Sequence, residues 1–267
     1  MGEDSTGVGP ATGQVRLRTD GLTVRHGGVV ALSHVSLQVH AGEVVGLIGP
    51  NGAGKSTFVD AVGGFVEHTG SVWVDGTDVS GLAPHDRARA GLARTWQSVE
   101  LFDGLTVREQ CLVAVPSTSR FPMLADMVRV GRRPVPPQVD HALEVLGLGD
   151  VADKPAATLS AGRQKLVGVA RALAASPSVL LLDEPAAGLT TDESRALGET
   201  LRTLAAAGPG LLLIEHDTDL VFDVCDRVVM LDLGSVVVSG TPEEVRHDVR
   251  VVQAYLGTPT EQLERPE

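Results

Sequence analysis

The run Gly49-Pro50-Asn51-Gly52-Ala53-Gly54-Lys55-Ser56-Thr57 has the spacing G-x-x-x-x-G-K-[ST] of a phosphate-binding loop. Its glycines let backbone N–H groups converge on a phosphate without Cβ obstruction, and a helix starting here adds the partial positive charge of its N-terminus. Lys55 would reach the β- and γ-phosphates of a nucleotide, Ser56 would offer its hydroxyl to Mg²⁺, and Thr57 would bond an α-phosphate oxygen. A second cluster, Val179-Leu180-Leu181-Leu182-Asp183-Glu184, is an apolar run ending in two carboxylates. Ligands of open α/β sheets lie beyond the carboxyl ends of the strands, so Asp183 is expected to organise Mg²⁺ and its waters. Glu184, next along an extended chain, is expected to point the other way, where a carboxylate polarises the water attacking a γ-phosphate.

The elements that must position these groups follow from hydrophobic periodicity. Period-2 alternation over residues 15–39 suits half-buried antiparallel strands, with His26-Gly27-Gly28 as a turn. Residues 44–48 form a continuous apolar run, as a strand buried on both faces requires. A helix is expected to begin within Gly54-Lys55-Ser56 and to stop at Gly63-Gly64, followed by a strand and turn over 71–76. Residues 87–159 are helical in pattern but broken by Pro116, Pro122, Pro134, Pro136 and Pro137, which suits a helical insertion in an α/β domain. Helices over 160–174, 191–206 and 217–224 then alternate with strands over 179–182, 211–214, 228–231 and 235–238. Such alternation implies a parallel sheet. Residues 1–13 read as a disordered lead-in and 259–267 as a flexible tail, leaving 14–258 as the folded unit, with its helical part at about 98–159.

Composition narrows the class. The 267 residues include 22 Lys plus Arg against 34 Asp plus Glu, a formal charge of -12, and only residues 55, 154 and 165 are lysines. That balance argues against a nucleic-acid partner, whose phosphates call for a basic surface. Cys111 and Cys225 are 114 positions apart and fit neither a disulfide framework nor a thiolate metal site, which suits a reducing compartment. No apolar run approaches the roughly 20 residues that span a bilayer.

The loop 49–57, Leu159-Ser160-Ala161-Gly162-Arg163-Gln164 and Leu182-Asp183-Glu184-Pro185, in this order, resemble the ATP-binding subunit of an ABC transporter over almost all of residues 15–257. The resemblance implies a RecA-like P-loop core with an antiparallel β subdomain and an inserted α-helical subdomain. It also implies ATP and Mg²⁺ as ligands. Ser160, Ala161, Gly162 and Arg163 match the signature segment, which in the family seals the γ-phosphate held by a second subunit; Ala161 and Arg163 depart from the usual glycine and glutamine. Read without the family, Ser160 is simply the N-cap of an amphipathic helix. Gln97 matches the glutamine loop, whose amide contacts Mg²⁺ or the attacking water, and His216 matches the switch histidine that reaches the γ-phosphate. His26 stands where relatives carry an adenine-stacking aromatic, and Thr190 where they carry Asp or Asn at the dimer contact.

Within the family, Arg94-Thr95-Trp96-Gln97, Ile214-Glu215-His216-Asp217, Gly240-Thr241-Pro242-Glu243 and Ala254-Tyr255-Leu256-Gly257 look like the branched-chain amino acid uptake branch, in particular the first of its two paired ATPases. That resemblance implies a second ATPase subunit, identical or sister, two integral-membrane permeases and, indirectly, an extracytoplasmic substrate-binding protein. The chain would sit at the cytoplasmic face of the cell membrane. Lipid or lipopolysaccharide exporter ATPases have similar sequences and form the nearest alternative. A stand-alone ABC ATPase acting on ribosomes or DNA usually has two cassettes or long coiled-coil arms, and neither is present here.

Overall fold

The alternating segment at the start folds as β1 (Val15–His26) and β2 (Val29–His40), paired antiparallel across the Gly27–Gly28 turn. The computed structural model describes residues 13–96, 100–115 and 135–256, so the lead-in up to residue 12, the tail and Gln97 lie outside the described residues. β4 (Thr69–Val74) and β5 (Thr77–Asp78) complete a four-stranded antiparallel sheet in the order β2-β1-β4-β5. The apolar run 44–48 becomes β3 (Val44–Ile48), every residue of it buried.

β3 lies inside a six-stranded sheet with β6 (Leu92–Arg94), β7 (Val179–Asp183), β8 (Gly210–Ile214), β9 (Arg227–Asp232) and β10 (Ser235–Gly240), ordered β10-β9-β3-β8-β7-β6. All its pairs are parallel except β9 with β10. Successive side chains of a strand face opposite sides, and the two sides feed separate cores. Val44, Ile48, Leu180, Leu182, Leu211 and Leu213 pack in one cluster. Val45, Leu47, Val179, Leu181, Leu212 and Ile214 pack in the other with Leu17, Val35 and Val72 of the antiparallel sheet.

Nine α-helices are described: α1 (Lys55–Gly63), α2 (Pro84–Arg89), α3 (Val107–Ala114), α4 (Pro137–Val145), α5 (Ala161–Ala174), α6 (Thr191–Ala206), α7 (Thr218–Val224), α8 (Pro242–Arg246) and α9 (Val249–Leu256). Helices α3 and α4 pack on α5, and short 3₁₀ turns at Gly149–Val151 and Ala156–Thr158 lead into it. Among the described residues no helix is long and apolar enough to cross a membrane. Cys111 and Cys225 are free and buried.

Two readings of the 87–159 stretch need correcting. Its helical start is Pro84, with proline in the first turn where a missing N–H costs nothing. Residues 92–94 are not helical but form β6, an edge strand whose three residues are too few to show a period and whose form comes from pairing with β7. Arg87, on α2 and 2% exposed, donates to Ala61 O and Val62 O at the end of α1 (2.8 and 2.7 Å), and to Leu82 O and Ser80 O (3.0 and 2.7 Å). It thereby satisfies Val62 O and gives Ala61 O a second donor beside the Gly64 N–H (3.1 Å) at the end of the helix. Arg87→Ala is expected to lower the unfolding free energy by about 3 kcal/mol, because buried acceptors of charged hydrogen bonds lose their donor. Urea denaturation checks this: the midpoint falls at an unchanged slope, and an unmoved midpoint removes the clamp from the account of stability.

Candidate functional site

β3 ends at Ile48 and the chain turns through 49–54 into α1. Gly49 has φ 148°, and a Cβ there would lie 2.1 Å from Leu231 O, so any side chain would displace backbone. Its N–H donates to the Tyr255 hydroxyl of α9 at 2.9 Å, which ties the first residue of the loop to the C-terminal helix. Gly52 has φ 83° with open space where a side chain would be, a backbone conformation that L-residues rarely adopt. α1 starts from Gly54 with no side-chain cap and no acidic residue in its first turn. Its positive end is therefore uncompensated and suited to an anion.

Lys55 is 7% exposed, and its Nζ donates to Gly49 O (2.5 Å) and Pro50 O (3.1 Å). Burial pulls the ammonium's pKa below the ordinary lysine value, while the Glu184 and Asp183 carboxylates act in the opposite direction. An ammonium held by two neutral carbonyls beneath the loop is a desolvated charge ready to exchange them for phosphate oxygens.

Asp183 closes β7 and is 6% exposed. Its N–H donates to Thr95 Oγ1 (3.1 Å), and its Oδ2 accepts from Arg94 Nη2 (3.2 Å). Burial pushes its pKa up, and the hydrogen bond and charge of Arg94 pull it back. Glu184 departs from the expected extended geometry. It has φ 49°, so the chain leaves the strand directly after Asp183, and a turn, not strand alternation, aims its side chain. A left-handed glutamate costs of order 1 kcal/mol and persists only where its surroundings hold it. Here its N–H donates to Ile214 O (2.9 Å) and its carbonyl accepts from Lys165 Nζ (3.2 Å). Its Oε1 lies 2.7 Å from His216 Nε2.

Glu215, not singled out from the sequence, is 3% exposed and accepts from the N–H of Ala186 (2.7 Å) and of His216 (3.3 Å). Burial pushes its carboxyl upward in pKa while those two amides oppose the shift. It pins the turn that follows Glu184 to the segment that presents His216. The signal is an acid directly after a strand buried on both faces and directly before a histidine.

Residues 51–57, Glu184 and His216 line one cleft of about 410 Å³, together with Val29, Val30 and Leu233. His26 does not line it. It is exposed at the end of β1, and the Gly27–Gly28 turn brings Val29 and Val30 to the cleft in its place. Ser160, Ala161, Gly162 and Arg163 are also absent from the lining. Ser160 Oγ caps α5 by accepting from Arg163 N (3.4 Å), Gly162 is buried against Leu189, and Arg163 Nη1 meets Asp150 Oδ2 at 3.2 Å. Thr190 forms a capping box on α6 with Glu193. Gln97 lies outside the described residues.

The donors near the loop are hard oxygens, the Ser56 hydroxyl and the Asp183 carboxylate. Among the described residues no group of three or more His, Cys, Asp or Glu converges on one point. That sparse set fits Mg²⁺, which binds through one or two protein oxygens and takes its other ligands from phosphates and water.

A parallel sheet whose inner strand runs through a glycine-rich loop into a helix, with an antiparallel sheet on one side and helices α3 and α4 on α5, defines an ABC-type ATPase fold of the P-loop class. Residues 32–187 match the ABC transporter family profile, and residues 235–260 match that of the branched-chain amino acid ATP-binding cassette transporter. The chain is 39% identical over 250 residues to the high-affinity branched-chain amino acid transport ATP-binding protein BraF of Pseudomonas aeruginosa, covering 90% of this chain and 97% of BraF. It is 37% identical over 251 residues to LivG of Escherichia coli, 91% and 98% covered, and 37% identical over 227 residues to the lipopolysaccharide export ATP-binding protein LptB of Haemophilus influenzae, 85% and 90% covered. Crystal structures of a nucleotide-free ATP-binding cassette and of one in its ADP conformation superpose with TM-scores of 0.79 and 0.80 at 30% identity, each covering 91% of this chain and 99% of the other. The chain belongs to the ABC transporter family, as one of its ATP-binding, ATP-hydrolysing subunits.

Proposed function

We propose that the chain drives uptake of branched-chain or related amino acids from the cytoplasmic face of a membrane. In this reading it pairs with a second ATPase subunit, identical or sister, and both work on two integral-membrane permeases served by an extracytoplasmic binding protein. The cargo rests on the match over residues 235–260 and on full-length similarity to BraF and LivG. LptB is matched over less of the chain, which ranks export second.

The observation that carries the chemistry is the 2.7 Å contact between Glu184 and His216 at the rim of the loop. ATP lies with its phosphates on the amides of residues 51–57, behind the Gly49-Pro50 turn, and on Lys55, Thr57 bonds an α-phosphate oxygen, and the base meets Val29, Val30 and Leu233, with His26 at the margin. Ser56 and Asp183 would hold Mg²⁺, with Gln97 as the further ligand that the family resemblance implies, and the ion would supply charge neutralisation at the phosphate oxygens. Glu184 accepts a proton from the water that attacks the γ-phosphorus. His216 orients Glu184 and donates to a γ-phosphate oxygen, while the bond from phosphorus to the bridging oxygen breaks and ADP leaves. Ser160, Ala161, Gly162 and Arg163, which do not line their own cleft, close the cleft of the second subunit with the N-terminus of α5, and Thr190 lies near that junction.

A groove of about 630 Å³ is walled by Phe65, Trp96, Phe102 and Val113, all large apolar groups at least 44% exposed. An exposed apolar groove of this size suits a permease helix. Closure of the ATPase pair would pull on that helix. Uptake of radiolabelled leucine, isoleucine and valine in a deletion strain tests the cargo: it falls to background and returns with the intact gene. Normal uptake, combined with a defect in outer-membrane lipopolysaccharide, would replace import with export.

A further inference from the structure

Arg94, at the end of β6, holds two carboxylates at once. Its Nη1 donates to Asp60 Oδ1 at 2.5 Å and its Nη2 to Asp183 Oδ2 at 3.2 Å, with side-chain exposures of 10% for the arginine and 7% for Asp183. Asp60 is one helical turn beyond Ser56 on α1, so the two share a face of that helix. Asp183 ends β7. A single guanidinium therefore sets the separation of the two elements that carry Ser56 and Asp183, and it occupies one Asp183 oxygen while leaving the other available. Thr95 adds a backbone anchor by accepting the Asp183 N–H. On its other side the guanidinium carbon sits 4.3 Å from the Trp96 ring centroid and 5.7 Å from that of Phe65, and these two rings meet edge to face at 5.0 Å. Both rings wall the apolar groove, so the group that fixes Asp183 is also the floor of the groove.

We infer that Arg94 is a positioning residue for ATP hydrolysis: it aligns Asp183 with α1 and joins that alignment to the aromatic wall of the groove. The inference rests on the assignment of Asp183 to Mg²⁺. Loss of Arg94 leaves Asp60 and Asp183 without a cation between them, free to turn away from the spacing that Mg²⁺ requires. Lysine restores the charge but is a point donor and cannot span both carboxylates in one plane.

The test uses the full-length protein and a fluorescent ATP analogue titrated with and without Mg²⁺, beside kcat, KM and thermal melting. Arg94→Ala is expected to bind the analogue normally without Mg²⁺, and to lose about tenfold or more both in the Mg²⁺-promoted gain in affinity and in kcat. Arg94→Lys recovers part of each loss, and Trp96→Ala shows a smaller loss of the same kind. Asp60→Asn, which preserves shape, keeps the wild-type melting temperature yet lowers kcat, and it carries the test should Arg94→Ala fold poorly. Wild-type Mg²⁺ dependence and kcat in both Arg94→Ala and Asp60→Asn overturn the inference. So does an equal loss of affinity with and without Mg²⁺. Asp183→Asn separates the two levels: if it too keeps its Mg²⁺ dependence, the Asp183 assignment fails, whereas if it alone loses that dependence, only the role of Arg94 fails.

Discussion

Glu184→Gln is expected to lower ATP turnover by roughly 10²- to 10⁴-fold, the usual worth of a positioned general base, while ATP still binds. The amide keeps the size of the carboxylate and a hydrogen bond to His216, so the turn at φ 49° and the cleft lining are preserved. Only the capacity to take a proton from water is lost. With hydrolysis blocked and both nucleotides bound, the proposed pair of subunits would have no exit from its closed state, and an ATP-dependent dimer is expected to accumulate on size-exclusion chromatography. Wild-type turnover in the variant would remove Glu184 from the role of base.

Lys55→Ala acts at the other end of the same cleft, on binding. A charge-assisted hydrogen bond contributes about 1.5–3 kcal/mol, which corresponds to roughly a 10- to 100-fold loss of ATP affinity. The phosphate cradle of backbone amides remains, so binding weakens but persists. Removing Nζ also frees Gly49 O and Pro50 O, which loosens the loop in the unliganded protein. Arginine should not rescue the variant, because a planar guanidinium does not fit where a 7%-exposed ammonium sits beneath the loop. Titration of labelled ATP measures both variants, and an affinity within twofold of wild type for Lys55→Ala would detach the lysine from phosphate binding.

Much of this site was legible in the chain. Lys55 and Ser56 are named by a spacing that only a strand-loop-helix turn explains, and Asp183 by its place at the end of a fully apolar run. The parts that escaped depend on partners far away in sequence. β6 is three residues whose form comes from β7, nearly ninety positions later. Glu215 accepts from the N–H of Ala186, 29 positions earlier, and the Tyr255 hydroxyl accepts from the N–H of Gly49, 206 positions earlier, pairings that no local pattern encodes. Strand alternation does not set the direction of Glu184, because β7 ends at Asp183 and the next residue has φ 49°.

Local sequence encodes the glycine-rich phosphate-binding loop, the alternation of buried strands with helices, and the reliance on amides in place of a basic surface in a chain of charge -12. These are local properties, set by side-chain type and by the periods of 2.0 and 3.6 residues. Only long-range packing makes Val29, Val30 and Leu233 line the cleft while His26 and residues 160–163 do not, and sets Arg94 between Asp60 and Asp183. Those facts follow from which strands become neighbours in the sheet, and burial of the two cores on its opposite faces fixes that order.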